Sequence, residues 1–186
     1  MKERHAARRG GGGHRPPASP VFLPPPPLEI NGWKIYVWSG FRERWTQLWH
    51  RVEVLRQADP TGYQTRKEAK FFAVVRALVL KEIPAEPSAP RFRQGKTMGS
   101  EHTHWRRAKF MRRFRLFFRY HAASKSIVYV WLNDENTLRK AGSSSDVYSV
   151  FAAMLAREKP PTDWAALVAA CERWSEKAIE GAPPAR

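Results

Sequence analysis

The sequence has little cysteine, few acidic residues and no long apolar run. Cys171 is the single cysteine in 186 residues, so the chain cannot form an internal disulfide or a cysteine-based zinc site, which fits a reducing cytoplasm. Apolar runs such as 71–75 are far shorter than the roughly 20 residues of a membrane span. Asp and Glu number 17 against 33 Lys and Arg, and the net charge of +16 favours a polyanionic partner, either nucleic acid or an acidic protein.

What the chain has is a concentrated basic segment at 91–119, in which Glu101 is the single acid. Large apolar residues interrupt the later part of the segment at every second position, which is typical of strands and not of a disordered basic tail. A folded basic surface of this kind is expected to bind phosphate groups. Its ten cations are Arg91, Arg93, Lys96, Arg106, Arg107, Lys109, Arg112, Arg113, Arg115 and Arg119.

Composition divides the chain into three regions. Residues 1–28 are basic and rich in Gly and Pro, with too few apolar side chains to offset the entropy of ordering, and are predicted to be disordered. Residues 29–175 have enough aromatic and aliphatic residues for one folded domain with a core. Residues 176–186 are predicted to form a flexible tail.

Within the domain, helical periodicity comes first and strand periodicity second. One amphipathic helix is predicted from Ser39 to the Asp59-Pro60 pair, and a second from a capping box at Thr61 and Gln64 to Pro84. Alternation then predicts strands, with Arg107 and Lys109 on one face of the first and Arg113, Arg115 and Arg119 on one face of the second. The segment 127–132 is apolar on both sides and is predicted to be a central strand.

Two C-terminal helices follow, the last of which Asp163 is predicted to cap. On the earlier of the two, Tyr148 is placed off the buried stripe. The predicted fold class is therefore α+β: two N-terminal helices pack on one face of an antiparallel basic sheet of about four strands, followed by C-terminal helices. The other face of the sheet is expected to carry the exposed guanidinium groups.

Several ordered motifs give the chain a family resemblance. They are Asn31-Gly32-Trp33, Phe92-Arg93-x-Gly95-Lys96, Arg115-Leu-Phe-Phe-Arg-Tyr120, Trp131-x-Asn133-Asp-Glu-Asn-Thr-Leu-Arg139, Asp146-x-Tyr148 and Pro160-Pro161-x-Asp163-Trp164. In this order they resemble the YhaV-type toxins of the RelE/ParE superfamily, from about Glu29 to Trp164. The resemblance implies a RelE/ParE-like fold.

The resemblance also implies a function and partners. It implies a toxin of a type II toxin–antitoxin system, a metal-independent endoribonuclease that cleaves mRNA during translation, with no cofactor, and arrests growth. The implied partners are a PrlF-type antitoxin with an AbrB-like DNA-binding domain, mRNA with the ribosome, and operator DNA through the toxin–antitoxin complex, which would repress its own operon. A cytoplasmic location follows from these partners.

Cleavage of RNA by its own 2′-hydroxyl needs a base, cations for the phosphorane and a proton donor for the leaving oxygen. Arginine suits the cationic part because its planar fork binds two phosphate oxygens. The resemblance makes Arg115 the first candidate for the catalytic centre. The next candidates are Arg107 and Lys109, followed by Arg139 and Tyr148. The base is left open between Lys109 and Tyr148, since neighbouring cations disfavour an ammonium and favour a phenolate. Residues predicted to bind RNA outside the centre are Arg93, Lys96, Arg113 and Arg119.

Other polar residues favour structural roles. The His102 and His104 pair has the spacing of two metal ligands, but no third ligand is evident, which favours a loop. His121 is a weaker candidate for the base. Asp134 and Glu135 favour turn and pairing roles, because carboxylates beside a scissile phosphate would repel it.

Two other functions remain open. One is a ParE-like toxin that targets gyrase or binds DNA without nuclease activity. The other is an RNA-binding adaptor that cuts nothing. Convergence of Arg115, Arg107 and Lys109 on a space the size of one phosphate would favour the nuclease.

Overall fold

The computed structural model describes residues 28–95 and 97–174. The predicted disordered extension, apart from Leu28, lies outside the described residues, as do Lys96 and the predicted tail at 176–186.

Six strands of the described chain form one mixed sheet. The strand order is β1 (Glu29–Ile30), β2 (Trp33–Val37), β5 (Ser126–Leu132), β4 (Phe114–His121) and β3 (Arg106–Phe110), and β6 (Glu172–Arg173) also pairs with β2. The β3–β4–β5 meander is antiparallel, whereas β2 runs parallel to β5. The prediction of a central strand at 127–132 is confirmed, because β5 lies between β2 and β4.

The helices of the first face begin with α1 (Ser39–Ala58), whose predicted bounds are confirmed. α2 (Lys67–Ala77) continues through one π-helical turn (Leu78–Glu82) into the short α3 (Ile83–Ala85). The predicted capping box is wrong: Asp59 accepts the backbone N–H of Gly62, a 3₁₀ turn (Tyr63–Thr65) follows, and α2 begins only after Arg66.

These helices form one hydrophobic core with the first face of the sheet. The aromatic rings of Phe41, Trp45 and Phe72 lie in it against the central strand, where Tyr129 contributes a ring and Ile127 an aliphatic side chain, all nine-tenths or more buried. Trp45 and Phe72 meet edge to face at 4.9 Å between ring centroids, a favourable arrangement for aromatic pairs. The prediction that this face meets the N-terminal helices is confirmed.

The second face of the sheet is covered as well, which the sequence analysis did not predict. α4 (Val147–Leu155) and α5 (Trp164–Ala169) pack on it, and Phe151 of α4 stacks on Phe117 of β4 at 4.0 Å between ring centroids. The α+β class is therefore confirmed, but the predicted antiparallel sheet of about four strands with an open guanidinium face is wrong, since the described sheet is mixed and has six strands. The sheet is mixed because β2 pairs parallel to β5. The second face is covered because apolar residues lie between the arginines of the strands and pack against the C-terminal helices.

Candidate active site

The hydroxyl of Tyr148 is the meeting point of two strand arginines. Arg107 of β3 donates its Nε–H to this oxygen at 2.7 Å, and Arg115 of β4 donates its Nε–H at 3.2 Å. All three residues are buried, with between 6% and 7% of their surface exposed. A hydroxyl that accepts two charge-assisted hydrogen bonds still has its own hydrogen to donate to a third group.

Tyr148 reaches this position because α4 begins directly before it. Asp146 is the N-cap and accepts the backbone N–H of Tyr148 at 3.0 Å. The prediction that Tyr148 lies off the buried stripe is wrong, because its ring packs in the second core with Phe117 and Phe151. The sequence carried a signal for this: Tyr148 precedes Phe151 and Leu155 by three and seven residues, a spacing that places them on one helix face.

Arg139 completes the cluster from a third segment. Its guanidinium carbon lies 5.2 Å from the centroid of the Tyr148 ring, and its Nη1–H donates to the carboxylate of Asp146. Burial would raise the pKa of Asp146, but the backbone N–H groups of Tyr148 and Lys140 and the Arg139 guanidinium together lower it below its ordinary value. Asp146 is therefore an anion that fixes both the tyrosine and the arginine, a role that the sequence analysis did not assign.

Arg115 is held by its own strand end. Asn133 is fully buried, and its side-chain oxygen accepts the backbone N–H of Arg115 at 2.6 Å. The Arg115 Nη1–H donates to the backbone carbonyl oxygens of Arg112 and Phe114 at 2.9 and 2.7 Å. No role of Asn133 beyond its place in a motif was predicted.

The β3–β4 turn contains Arg112, whose backbone carbonyl oxygen is one of the two that accept from Arg115. Met111 and Arg112 both have left-handed backbones, with φ of 41° and 61°. This conformation costs a residue with a side chain about 1–2 kcal/mol. The hydrogen bond from Arg115 offsets part of that cost, so the turn and the arginine orient each other.

Lys109 is the exposed member of the group. It pairs in register with Arg115 across β3 and β4. Directly opposite side chains of an antiparallel pair leave the sheet on the same face with Cβ atoms about 5 Å apart, so the Lys109 side chain starts beside that of Arg115. Of the residues predicted to converge, Arg107 and Arg115 meet at the Tyr148 hydroxyl, and the strand register places Lys109 beside Arg115. Arg139 joins them at the Tyr148 ring, and the catalytic roles of all five residues stay predictions.

The remaining predicted RNA-binding residues lie around this centre. Arg93 is exposed and forms a single backbone bridge with Arg106 at the outer edge of β3. Arg113 is exposed beside the centre, where its Nε–H donates to the backbone carbonyl of Arg139 at 3.2 Å.

Arg119 lies farther along β4 and is held by α5. Its guanidinium carbon is 5.3 Å from the ring centroids of both Trp105 and Trp164, and its Nη1–H donates to the Thr162 carbonyl. Burial lowers the pKa of Arg119, although the nearby Asp163 opposes this. The contacts give Arg119 a packing role, and its contact with RNA stays a prediction.

The histidine pair lies in the loop before β3. Burial, with the neighbouring Arg119 and His102, lowers the pKa of His104. Among residues 28–95 and 97–174, no three His, Cys, Asp or Glu side chains gather as a metal site would require. His121 stacks on Trp164 at 5.3 Å and contacts Ser124, on the far end of β4 from Arg115.

The acidic turn after β5 has the structural role that was favoured. The Asp134 carboxylate accepts the hydroxyl and the backbone N–H of Thr137, and Glu135 pairs with Arg44 of α1 at 3.3 Å. The predicted cap of α5 is also confirmed, since Asp163 accepts the N–H of Ala166.

A buried tyrosine that collects three arginines beside an exposed lysine is a site suited to binding and polarising a phosphodiester. A family model described as a toxin with endonuclease activity, of a toxin–antitoxin system, matches residues 35–172. The chain therefore belongs to the YhaV family of toxins, as its motifs indicated.

Two curated relatives are similar to this chain over most of its length. The chain is 44% identical over 143 residues to the toxin YhaV of Escherichia coli O6:H1 (strain CFT073), an alignment covering 76% of this chain and 93% of that protein. Identity and coverage are the same with the ribonuclease toxin YhaV of Escherichia coli (strain K12). No solved structure gives a significant match. None of the described helices combines the length and apolarity required to cross a membrane.

Proposed function

We propose that this toxin is a metal-independent endoribonuclease whose centre is Tyr148 with Arg107, Arg115, Arg139 and Lys109. The observation that carries the proposal is the pair of hydrogen bonds from Arg107 and Arg115 to one tyrosine hydroxyl. Membership of a family with endonuclease activity supports it, and the name of the K12 relative makes RNA the substrate to test first.

The reaction is attack by the ribose 2′-oxygen on the adjacent phosphorus. A base takes the 2′-hydroxyl proton, the bond from the 2′-oxygen to phosphorus forms, and the bond to the 5′-oxygen breaks as that oxygen gains a proton. The pentacoordinate intermediate gathers negative charge, which guanidinium groups stabilise when they are already oriented. Arg115 is oriented by the carbonyls of Arg112 and Phe114, so little reorganisation is needed.

The cations of the proposed centre differ in their exposure to solvent. Arg107 and Arg115 are buried, whereas 32% of the Arg139 side chain is accessible and Lys109 is exposed. RNA therefore meets Lys109 and Arg139 first and reaches the Tyr148 hydroxyl and Arg115 between them. In this arrangement Arg107 acts mainly by orienting Tyr148.

Tyr148 and Lys109 are the two residues that would move protons in this proposal. In one assignment the Tyr148 hydroxyl, which accepts from two cationic donors, gives its own hydrogen to the leaving 5′-oxygen, and Lys109 is the base. The reverse assignment uses the Tyr148 oxygen, which accepts hydrogen bonds from Arg107 and Arg115, as the base. Arg93, Arg113 and, outside the described residues, Lys96 would steer the rest of the strand, and Arg119 would contribute beyond them.

Partners follow from the same assignment. We propose that an antitoxin of the PrlF type, with an AbrB-like domain, neutralises the toxin, and that the complex represses its own operon. The substrate is mRNA, cut in the cytoplasm during translation, and growth arrest is the result. Because every group of the proposed centre lies in this chain, free RNA is expected to be cut as well. A RelE/ParE relationship of the fold belongs to this proposal as well.

The alternative functions predict a different use of the basic sheet. A ParE-like toxin or an RNA-binding adaptor would use cations spread for contact with a protein, duplex or strand. Here two buried arginines share one hydroxyl, and a third lies against the same ring. That convergence supports the nuclease over both alternatives.

Expression in growing cells tests this function. Primer extension on abundant messages is expected to show discrete new 5′ ends with the wild type, and none with Arg115→Ala or when the antitoxin is co-expressed. Arg51→Ala, on the exposed surface of α1, is the control and is expected to cut like the wild type. Growth arrest with intact messages would contradict the nuclease and favour the gyrase-targeting or DNA-binding toxin.

A further inference from the structure

A pocket of about 340 Å³ opens beside β3, the outer strand of the sheet, next to the candidate active site. Its lining comes from the π-helical turn, from the 3₁₀ turn Pro90–Phe92 and from β3 itself. The volume lies within the range of small-molecule sites. The lining residues are Leu78, Glu82, Arg91, Phe92 and Lys109.

The π-helical turn determines where one wall of this pocket lies. Leu78 and Glu82 are its first and last residues, and the hydroxyl of Tyr129 on the central strand donates to the Val79 carbonyl at 2.6 Å. π-Helical turns are uncommon and are frequent at functional sites. The turn is thus anchored to the centre of the sheet while it presents Glu82 at the pocket.

The pocket has the features of a nucleobase site. Leu78 and Phe92 are the apolar residues of its lining, and both are buried. The Arg91 guanidinium carbon lies 4.7 Å from the Phe92 ring centroid. RNA bases stack on guanidinium planes and are recognised by hydrogen bonds to their edges. Glu82 is the one carboxylate among these lining residues, and it lies 3.5 Å from Arg91.

A carboxylate only accepts hydrogen bonds, and this selects among the four bases. Guanine offers two adjacent donors, N1–H and the 2-amino group, which match the two oxygens of a carboxylate. Adenine and cytosine place an amino group beside a lone pair, and uracil places one N–H between two carbonyls. Each of these arrangements brings an acceptor against the Glu82 oxygens.

The pocket is joined to the cluster by direct contacts. Arg107 donates its Nη1–H to the backbone carbonyl of Arg91 at 3.3 Å, and Lys109, which lines the pocket, pairs in register with Arg115. We infer that the pocket binds a guanine base of RNA next to the cleaved phosphate, with Glu82 as the acceptor that selects it. The position of this base relative to the cut rests on the proposed function.

Binding of short 2′-fluoro oligonucleotides tests the inference, because they lack the 2′-hydroxyl nucleophile. A uridine heptamer has its central base changed to guanine, adenine, cytosine or hypoxanthine, and affinity for the full chain is measured by fluorescence anisotropy. The wild type is expected to bind the guanine oligonucleotide about tenfold more tightly than those with uracil, adenine or cytosine, as for a good bidentate contact. Hypoxanthine lacks the 2-amino group and is expected to be intermediate.

Glu82→Gln is expected to reduce the guanine preference to within about twofold, because an amide offers one acceptor in place of two. Glu86→Gln removes the same charge from an exposed position four residues on and is expected to keep the preference. Equal thermal unfolding of both variants and the wild type establishes that the fold is unchanged. A wild type without guanine preference, or a Glu82→Gln variant that keeps it, would overturn the inference.

A parallel assay with all-ribose heptamers separates the two proposals. Cleavage without guanine preference overturns the pocket assignment and leaves the nuclease. Guanine preference without cleavage supports the pocket and contradicts the nuclease. A wild type that neither cuts nor discriminates between bases overturns both.

Discussion

Replacing Tyr148 by Phe is expected to slow RNA cleavage at least about 100-fold, the lower range for loss of a positioned proton donor or acceptor. The substitution removes one oxygen and leaves the ring, so packing against Phe117 and Phe151 is retained. It also removes the group on which Arg107 and Arg115 converge. The measurement is single-turnover cleavage of a synthetic RNA, with binding of a 2′-fluoro analogue measured alongside.

Tyr120→Phe is the matched control for this change. Tyr120 lies on β4 as well, but it belongs to the opposite face, where its ring meets Trp33 at 6.0 Å. The control is expected to cleave within about twofold of wild type. Cleavage by Tyr148→Phe within a few-fold of the wild-type rate, with RNA binding unchanged, would remove Tyr148 from the chemistry.

Asp146→Asn is expected to lower the free energy of unfolding by about 2 kcal/mol near neutral pH, and to slow cleavage as well. The amide keeps the size of the side chain and can still cap α4. It loses the charge that binds Arg139 and an acceptor for the Lys140 N–H. Arg139 is then free to leave the Tyr148 ring. Urea unfolding measures the stability term, and Asp59→Asn, in the turn after α1, is the control with little expected change.

The same variant has a pH signature. The pKa of Asp146 is lowered in the folded protein, so the stabilisation is fully present above the unfolded value of about 3.9 and is lost as the pH falls through the folded pKa. The stability difference between wild type and Asp146→Asn is therefore expected to shrink as the pH is lowered below about 4. A difference that stays constant over that range would contradict an ionised, arginine-bound Asp146.

The parts of the fold predicted correctly are those that local patterns determine. α1 has a long apolar stripe bounded by Asp59-Pro60, β5 is apolar on both sides, and Asp163 precedes a helix as a cap. The parallel pairing of β2 with β5 joins segments about ninety residues apart, and nothing in either strand specifies direction. The π-helical turn likewise depends on contacts such as the hydroxyl of Tyr129 on Val79, which local periodicity does not reveal.

The residues of the candidate site were predicted from the sequence, but the burial of Arg107, Arg115 and Tyr148 was not. Alternation placed Arg107 and Arg115 on one face, and the motifs added Arg139 and Tyr148. Their burial comes from α4, whose apolar residues lie more than thirty positions later in the chain. A charged segment considered alone indicates a solvated surface, because burying its charges costs free energy. Partners such as Asp146 lower that cost, and they lie elsewhere in the sequence.

The chemical ends of the cut RNA test the central claim most directly, namely that the arginine–tyrosine centre cleaves by attack of the 2′-hydroxyl. Purified wild type is incubated with a synthetic RNA, and the products are identified by mass spectrometry beside those of Tyr148→Phe. We expect a 2′,3′-cyclic phosphate or 3′-phosphate on one product and a 5′-hydroxyl on the other, formed at least about 100-fold more slowly by the variant. Products with a 3′-hydroxyl and a 5′-phosphate, or equal rates for the two proteins, would contradict it.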